Sequence, residues 1–297
     1  MNSTKSRLLI PPDFSQSQYI TVTPEIAGWE HLTFGAVRLE QGQEWKFNTL
    51  DNELAVAILG GSGDVITNTE TFMCVGSRKD VFHGLPTALY FSRNASITIN
   101  ALTKHLDFAF GFAKATNDRP NRLIKPEEIS IELRGGENAS RQINKMIPPG
   151  FPCDRLVMVE VYTPSGNWSS YPPHKHDERI LGNNGEILEA DLEEIYFYKI
   201  NKPEGFAYQR IYNDGGTLDE LILVSDNHLV LSPEGYHPVV SGFGYDSYYL
   251  NILAGSDQSL ASTDDPNYSW VKQTWKTIDP RIPLVTIEMN QQGDRPK

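Results

Sequence analysis

The stretch SSYPPHKHD, residues 169–177, gives the strongest structural signal in this 297-residue chain. Pro172 and Pro173 favour an extended backbone and cannot donate a hydrogen bond to a neighbouring strand, so they place a strand start at a sheet rim. In a strand, residues i and i+2 lie about 7 Å apart on the same face. His174 and His176 can therefore bind one metal ion together, whereas Lys175 points away.

Short β-rich segments recur on both sides of this stretch, separated by Gly, Pro, Asn and Asp. Such spacing is typical of β-sandwiches and barrels, and helical periodicity is scarce. We interpret residues 116–152 as a connection without long strands. The sequence thus predicts an all-β chain with two antiparallel β-barrel domains, residues 1–125 and 126–297. The predicted strands are 32–39, 44–48, 53–59, 63–67, 88–91, 96–100 and 108–113 in the first half, and 155–162, 193–200, 206–212, 218–224, 228–231 and 247–253 in the second.

Two further segments of the second half can supply metal ligands. His237 follows a Pro/Gly turn and precedes a predicted strand, which suits an imidazole at a strand start. Glu193 and Glu194 open an aromatic strand, where a carboxylate can face a barrel interior. Strand alternation does not choose between them, because both faces of such a strand can be buried. Three histidines and one carboxylate suit Zn²⁺, Mn²⁺, Fe²⁺ or Ni²⁺ and leave room for water or substrate.

The other histidines form no comparable set. His31, His83 and His105 stand apart in different segments of the first half, and His228 lies in a predicted turn. Isolated histidines of this kind are usually structural or exposed. We therefore predict that the first barrel holds no metal.

Composition excludes several classes of partner. The chain has 26 Lys and Arg against 38 Asp and Glu, a formal charge of −12, which repels nucleic-acid phosphates. The longest apolar runs are strand-sized, well short of the roughly 18–20 residues of a membrane span. The N-terminus does not resemble a signal peptide, so we expect a cytoplasmic protein with Cys74 and Cys153 as unpaired thiols. The composition is compatible with a homo-oligomer.

Longer motifs carry a family resemblance. The order HxH, then Glu, then His after a PxGxHP turn resembles the metal motif of the cupin superfamily, although residues 177–191 separate His176 from the strand 192–200 that carries the Glu, which is more than the usual cupin spacing. The segments 166–177, 192–200, 203–212, 231–255, 23–42 and 134–143 resemble the 5-deoxy-glucuronate isomerase family of myo-inositol catabolism. The 4-deoxy-5-ketouronate isomerases resemble this plan more distantly.

The resemblance implies a double cupin (bicupin) with jelly-roll barrels and a metal-dependent aldose–ketose isomerase. Its implied reaction converts 5-deoxy-D-glucuronate to 5-dehydro-2-deoxy-D-gluconate, through a cis-enediolate or a hydride shift. It selects Glu194 over Glu193 as the carboxylate ligand beside His174, His176 and His237. We expect one divalent metal, with Zn²⁺ first and Mn²⁺, Fe²⁺ or Ni²⁺ as alternatives.

Proton transfer and substrate binding need further groups. Asp177, Tyr196 and Asp246 are the candidate acids and bases, with Glu178 beside them. A small sugar-acid substrate calls for cations and amides, and the candidates are Lys175, Gln209, Arg210, Arg134 and Arg141. A metal-dependent dioxygenase and a non-enzymatic sugar-binding cupin remain the alternatives, because the fold alone does not separate them.

Overall fold

The computed structural model of the chain describes residues 6–290. It is built of antiparallel strands with two four-residue α-helices, which confirms the all-β prediction. The first eleven strands are β1 (Leu9–Ile10), β2 (Gln18–Val22), β3 (Thr33–Glu40), β4 (Glu44–Asn48), β5 (Asn52–Gly60), β6 (Gly63–Thr67), β7 (Thr71–Val75), β8 (Thr87–Phe91), β9 (Ser96–Ala101), β10 (His105–Lys114) and β11 (Arg122–Ile124).

The remaining strands are β12 (Ser130–Arg134), β13 (Arg141–Ile147), β14 (Val157–Thr163), β15 (Trp168–Ser169), β16 (His174–Lys175), β17 (Ile180–Leu181), β18 (Ile187–Glu189), β19 (Leu192–Ile200), β20 (Phe206–Tyr212), β21 (Asp219–Ser225), β22 (Leu229–Ser232), β23 (Val239–Ser241), β24 (Ser247–Gly255) and β25 (Thr263–Asp264). The helices are α1 (Pro24–Ala27), α2 (Ile287–Asn290) and three 3-10 turns, Pro126–Glu128, Glu137–Ala139 and Ser269–Thr274. None of the helices within residues 6–290 is long and apolar enough to cross a membrane.

Each half forms a large sheet opposed by a small one. The first barrel pairs the six-stranded sheet β11-β8-β5-β10-β3-β2 with the four-stranded sheet β4-β9-β6-β7. The second pairs the seven-stranded sheet β1-β22-β19-β24-β14-β13-β12 with the four-stranded sheet β15-β23-β20-β21. Two short ribbons, β16-β25 and β17-β18, complete the second half.

One edge strand of the second barrel comes from the N-terminal segment. β1 precedes the first barrel but pairs with β22 of the second, whereas β11, the last strand before residue 125, pairs with β8 within the first barrel. One short strand of the range 1–125 therefore lies in the sheet of the other half. The division of the chain into two domains at residue 125 stays a prediction, and β1 is the strand that does not follow it.

The six-stranded sheet is buried on both faces, which explains its continuous apolar sequence. Along β5, Leu54 and Val56 point into the first barrel, while Ala55 and Ala57 belong to the core shared with the second barrel. Alanine on the shared face lets the large sheets pack closely. The inter-barrel contact is consequently part of one core rather than a loose domain interface.

Two glutamates join the barrels in equivalent ways. Glu193, the second residue of β19, accepts hydrogen bonds from the backbone amides of residues 30–32 at N···O distances of 2.5–2.9 Å. Glu53, at the same place in β5, accepts from the amides of residues 154–156 at 2.7–3.0 Å. This equivalence aligns β5 with β19, so Leu54 of the first barrel occupies the position of Glu194 in the second.

The connection 116–152 differs from the sequence expectation, because it contains β11, β12 and β13. The seven-residue strand β13 lies inside the large sheet of the second barrel between β12 and β14. The sequence did not predict this strand because it carries buried polar residues. Gln142 binds the backbone of residues 284–285, and Asn144 donates a hydrogen bond to Glu160 at 2.9 Å. Cys74 is exposed and Cys153 buried, and both are free.

We predict that Glu193→Gln lowers the stability of the protein without dissolving its fold. The substitution leaves one oxygen for the four hydrogen bonds and removes the charge that strengthens them, a loss of about 1–3 kcal/mol. The melting temperature should fall by several degrees in differential scanning calorimetry. Glu204→Gln, at an exposed position, is the control and should melt like wild type. Equal melting of all three proteins would contradict the structural role of Glu193.

Candidate metal centre and active site

Three segments of the second barrel converge on one buried cluster. His176 follows β16, Glu194 lies near the start of β19, and His237 ends the turn before β23. Their side chains are buried, and one ligand atom from each lies within 4.8 Å of the others. Of residues 6–290, these three form the group of His, Cys, Asp and Glu side chains close enough to hold a metal ion.

His174 lies beside this cluster at the cavity wall. Its ring centre is 5.0 Å from that of His237, and the His176 ring centre is 4.9 Å from the same ring. β16 pairs with β25, so His174 and Lys175 are held by a second segment of the chain. The alternation inferred from the sequence is present here: Lys175 points out of the cavity while both histidines border it.

Backbone carbonyls orient the three imidazoles. Nδ1 of His237 lies 2.8 Å from the Gly235 oxygen, Nδ1 of His176 lies 2.9 Å from the Leu192 oxygen, and Nδ1 of His174 lies 3.3 Å from the Pro172 oxygen. A carbonyl only accepts, so each Nδ1 carries a proton, and Nε2 is the atom that each ring can present to the cluster. This arrangement is typical of metal-binding histidines.

The Nε2 atoms face Glu194. His176 Nε2 lies 3.0 Å and His237 Nε2 lies 3.4 Å from Glu194 Oε2. His237 Nε2 is buried without a hydrogen-bond partner among the described residues. Burial lowers the pKa of His174 and of His237 to about 3, so both rings are neutral, as metal ligands must be. The donor set therefore fits a divalent cation of the Zn²⁺, Mn²⁺, Fe²⁺ or Ni²⁺ type.

Alternation along β19 separates the two glutamates. Glu194 faces the histidines, whereas Glu193 faces the first barrel and binds the amides of residues 30–32. The same alternation directs Tyr196 and Tyr198 inward. The register of this strand thus decides which carboxylate reaches the cluster.

A cavity of about 400 Å³ opens beside the cluster. Its wall is the inner face of the large sheet, where alternate residues of five strands point the same way. Loop residues and the C-terminal segment complete it. The wall includes, in strand order, Arg134, Arg141, Ile143, Lys145, Val159, Val161, Glu194, Tyr196, Tyr249, Asn251 and Leu253.

Four cations border this cavity, and three of them have acidic partners. Arg134 and Lys145 share Glu132 at 2.6 and 2.7 Å. Lys272 pairs with Asp264, which also lines the cavity. These three cations are therefore largely neutralised.

Arg141 differs from the other cations. It is 5% exposed and forms no ion pair within residues 6–290; its guanidinium donates to the carbonyls of Tyr171 and Ala139 at 3.1 and 3.3 Å. Burial lowers its pKa to about 10, which still leaves it charged at neutral pH. A buried cation without a counter-ion is costly, so this position attracts an anion.

Hydroxyl groups form the side of the cavity next to His237. Ser170 Oγ lies 3.1 Å from Tyr196 Oη and 3.4 Å from Tyr249 Oη. Burial raises the pKa of Tyr196 well above its usual range and also raises the pKa of Tyr249. Both tyrosines are consequently protonated and can donate hydrogen bonds to a substrate oxygen.

Three of the predicted substrate-binding residues lie outside the cavity. Lys175 pairs with Asp214 at 2.7 Å, and Arg210 pairs with Asp219 at 2.8 Å on the outer face of β20. Gln209 is fully buried behind the cluster, where it accepts from Tyr198 Oη at 2.8 Å. Alternation did direct Gln209 inward, but to the barrel interior under His237 rather than to the cavity.

The acidic candidates for proton transfer are also separated from the cavity. Asp177 accepts from the Gly235 amide at 2.7 Å in a neighbouring cleft, and burial raises its pKa. Asp246 accepts from the Ser165 amide at 2.9 Å in a turn, and Glu178 is exposed. Among the proposed acids and bases, Tyr196 lines the cavity.

The sequence interpretation did not include several residues of the cavity wall. Lys145 could have been found from its spacing, since Arg141, Ile143 and Lys145 alternate on one face of β13. Lys272 and Trp275 come from the C-terminal 3-10 turn and the residue that follows it, and no local pattern connects them to the cluster.

Comparisons with known proteins agree with this geometry. A family model described as the KduI/IolB family matches residues 8–271. A protein named 5-deoxy-glucuronate isomerase from Geobacillus thermodenitrificans is 40% identical over 87% of this chain and 93% of its own length. A protein of the same name from Geobacillus kaustophilus is 39% identical over 91% of this chain and 96% of its own length.

Solved structures extend the comparison. An IolB-like protein from Salmonella typhimurium LT2 superimposes with a TM-score of 0.85 at 32% identity, covering 90% of this chain and 99% of that one. A mutant of Bacillus subtilis oxalate decarboxylase OxdC gives a TM-score of 0.58 at 13% identity, covering 89% and 80%. The second likeness supports the double-cupin fold alone.

We predict that Glu194→Gln weakens metal binding strongly, whereas Glu193→Gln leaves it nearly intact. The first change removes an anionic ligand and the charge that offsets the cation, while the second alters a group on the opposite face of β19. Equilibrium dialysis with Zn²⁺ would measure both affinities, and Glu204→Gln is the control. If Glu193→Gln loses the metal and Glu194→Gln retains it, the ligand assignment is wrong.

Proposed function

The chain belongs to the KduI/IolB family, and from this premise we propose that it is an aldose–ketose isomerase that converts 5-deoxy-D-glucuronate to 5-dehydro-2-deoxy-D-gluconate. Several relatives at 34–40% identity carry the name 5-deoxy-glucuronate isomerase. One observation carries the proposal: a cluster of metal-binding type lines the same cavity as Arg141, a buried arginine that forms no ion pair with residues 6–290. A sugar acid has a carbonyl for the first and a carboxylate for the second.

We propose that His174, His176, Glu194 and His237 hold one divalent metal. A bound divalent ion would polarise the C1 carbonyl and acidify the C2 hydroxyl. His237, whose Nε2 has no hydrogen-bond partner within residues 6–290, and Glu194 form the part of the site that is already aligned. His174 completes the set from the cavity wall, where it can adjust without disturbing a β core.

Arg141 is the proposed anchor for the substrate carboxylate. Its guanidinium has donors that the two backbone carbonyls do not saturate, and a carboxylate can accept two of them in parallel. Binding there would place the remaining sugar chain along the cavity towards the histidines. Arg134 also lines the cavity, but its ion pair with Glu132 largely neutralises its charge.

Tyr196 is the proposed hydrogen-bond donor and proton-transfer group. The reaction moves a hydrogen from C2 to C1 and a proton from the C2 oxygen to the C1 oxygen. A protonated phenol beside His237 can stabilise an oxygen that gains negative charge, and Ser170 holds that phenol in place. Tyr249 shares the same serine and supports the arrangement from β24.

The same ligand set would also suit a dioxygenase. That reading requires a redox-active metal and oxygen, and it gives the unpaired Arg141 no specific role. The cytoplasm remains the expected location, and a small sugar acid the expected partner.

We predict that removing the metal abolishes isomerase activity and that Zn²⁺ under nitrogen restores most of it. Zn²⁺ has no accessible second oxidation state, so it supports polarisation but not oxygen activation. The measurement is conversion of 5-deoxy-glucuronate by chelator-treated and reloaded protein, with Mg²⁺ addition as a control. Full turnover in metal-free protein would contradict the metal's role, and activity that requires oxygen would favour the dioxygenase.

We also predict that Arg141→Gln lowers kcat/KM by at least about 100-fold, mainly by raising KM, because a charge-assisted double hydrogen bond is lost. Arg141→Lys should recover part of the loss, since it keeps the charge but not the fork. Arg210→Gln should change kcat/KM less than about threefold, because Arg210 lies outside the cavity.

The melting temperature separates this role from a structural one. Removing an unpaired buried charge should leave the melting temperature of Arg141→Gln unchanged or higher. A fall in melting temperature with an unchanged KM would show that Arg141 supports the fold and does not bind the substrate.

A further inference from the structure

The two small sheets occupy equivalent places in their barrels, but the outer face of the first is mainly polar and that of the second is mainly apolar. In the first barrel, cross-strand pairing aligns Lys46, Thr98, Ile66 and Thr71 in one row across the outer face. In the second barrel, the equivalent row is Trp168, Val240, Tyr208 and Leu223. The first barrel shows that this fold tolerates a mainly polar outer face on its small sheet. The apolar row of the second barrel is therefore not required by the fold.

The apolar face is exposed and regular. Leu221 is 71% and Leu223 53% exposed, and Tyr208 beside them is 40% exposed. The edge strand β21 pairs with β20 over seven residues without a bulge, whereas the equivalent β7 carries a register irregularity. Native proteins commonly protect exposed sheets with bulges and charges, but β21 has no bulge, and the charged residues Arg210 and Asp219 lie beside the central row and pair with each other.

This sheet has a recess on its outer face and a projection in an adjoining turn. Phe243, in the turn after β23, is 91% exposed. A groove of about 170 Å³ lies between Trp168, Tyr171, Tyr208 and Leu221. A surface that carries a knob and a hole is suited to an isologous contact, in which each copy fills the other's recess.

The charge of this face favours a second copy over other partners. The chain carries a formal charge of −12, which opposes the approach of an identical molecule at most orientations. At this face, Arg210 and Asp219 neutralise each other at 2.8 Å, and the central row holds no charge. Two copies can therefore meet here with little repulsion.

The exposed area is of the size that a stable dimer uses. With about 150–250 Å² for each fully exposed aromatic side chain and less for leucine, the exposed parts of the apolar residues amount to on the order of 500 Å². A standard interface buries about 800 Å² per partner, slightly more than half of it apolar. The residues counted are Trp168, Phe206, Tyr208, Leu221, Leu223 and Phe243.

We propose that the outer face of the β15-β23-β20-β21 sheet is the interface of a two-fold homodimer. The two small sheets pack face to face, and Phe243 of each copy enters the aromatic groove of the other. The interface lies outside the cavity, so the proposal is independent of the isomerase assignment.

Sedimentation velocity at about 1–100 µM tests this proposal. Wild type should sediment as a dimer of twice 33.4 kDa. Tyr208→Asp should raise the dimer dissociation constant by about 30-fold or more, as expected for a central aromatic residue of an interface. Phe243→Ala should act in the same direction, and it changes a residue of an exposed turn rather than of the core. Ile66→Asp is the matched control at the equivalent position of the first barrel and should remain dimeric.

Circular dichroism and melting curves establish that each variant is folded. A monomeric wild type at 100 µM would overturn the proposal. So would a Tyr208→Asp or Phe243→Ala protein that dimerises as tightly as wild type. Equal dissociation of the Ile66→Asp control would also overturn the assignment to this face.

Discussion

The second barrel is organised around imidazole rings whose Nδ1 atoms are fixed by backbone carbonyls. Because Gly235, Leu192 and Pro172 supply these carbonyls, the backbone itself determines where each Nε2 points. The buried Nε2 of His237 has no hydrogen-bond partner among the described residues, and an unsatisfied buried polar atom costs about 1–3 kcal/mol. A divalent cation would offset this cost, so the fold and the proposed metal site depend on the same contacts.

The two faces of β19 connect this cluster to the rest of the protein. Glu194 faces the histidines, while its neighbour Glu193 holds the amides of residues 30–32 of the first barrel. The first barrel repeats this contact through Glu53 but has Leu54 where the second has Glu194. We infer that the first barrel fixes the register of β19 and thereby the position of the carboxylate.

The sequence predicted the fold well because both barrels are made of short, strongly apolar strands. It also singled out His174, His176 and His237 as candidate ligands, since HxH and the turn before His237 are local patterns. The choice of Glu194 needed a family resemblance, because β19 is buried on both faces. The cavity was harder to predict: Arg210 and Lys175 lie on strands next to the cluster but point outward, and Lys272 reaches it from a distant segment. Side-chain direction follows from local alternation, but the boundary of a cavity depends on tertiary packing.

X-ray absorption spectroscopy of the Zn²⁺-loaded protein tests the central claim most directly. The account predicts one metal per chain, with imidazole nitrogens and a carboxylate oxygen at about 2.0–2.2 Å. The imidazole scattering should diminish in His237→Ala. A spectrum without imidazole scattering, or one that His237→Ala leaves unchanged, would contradict a metal centre in the second barrel.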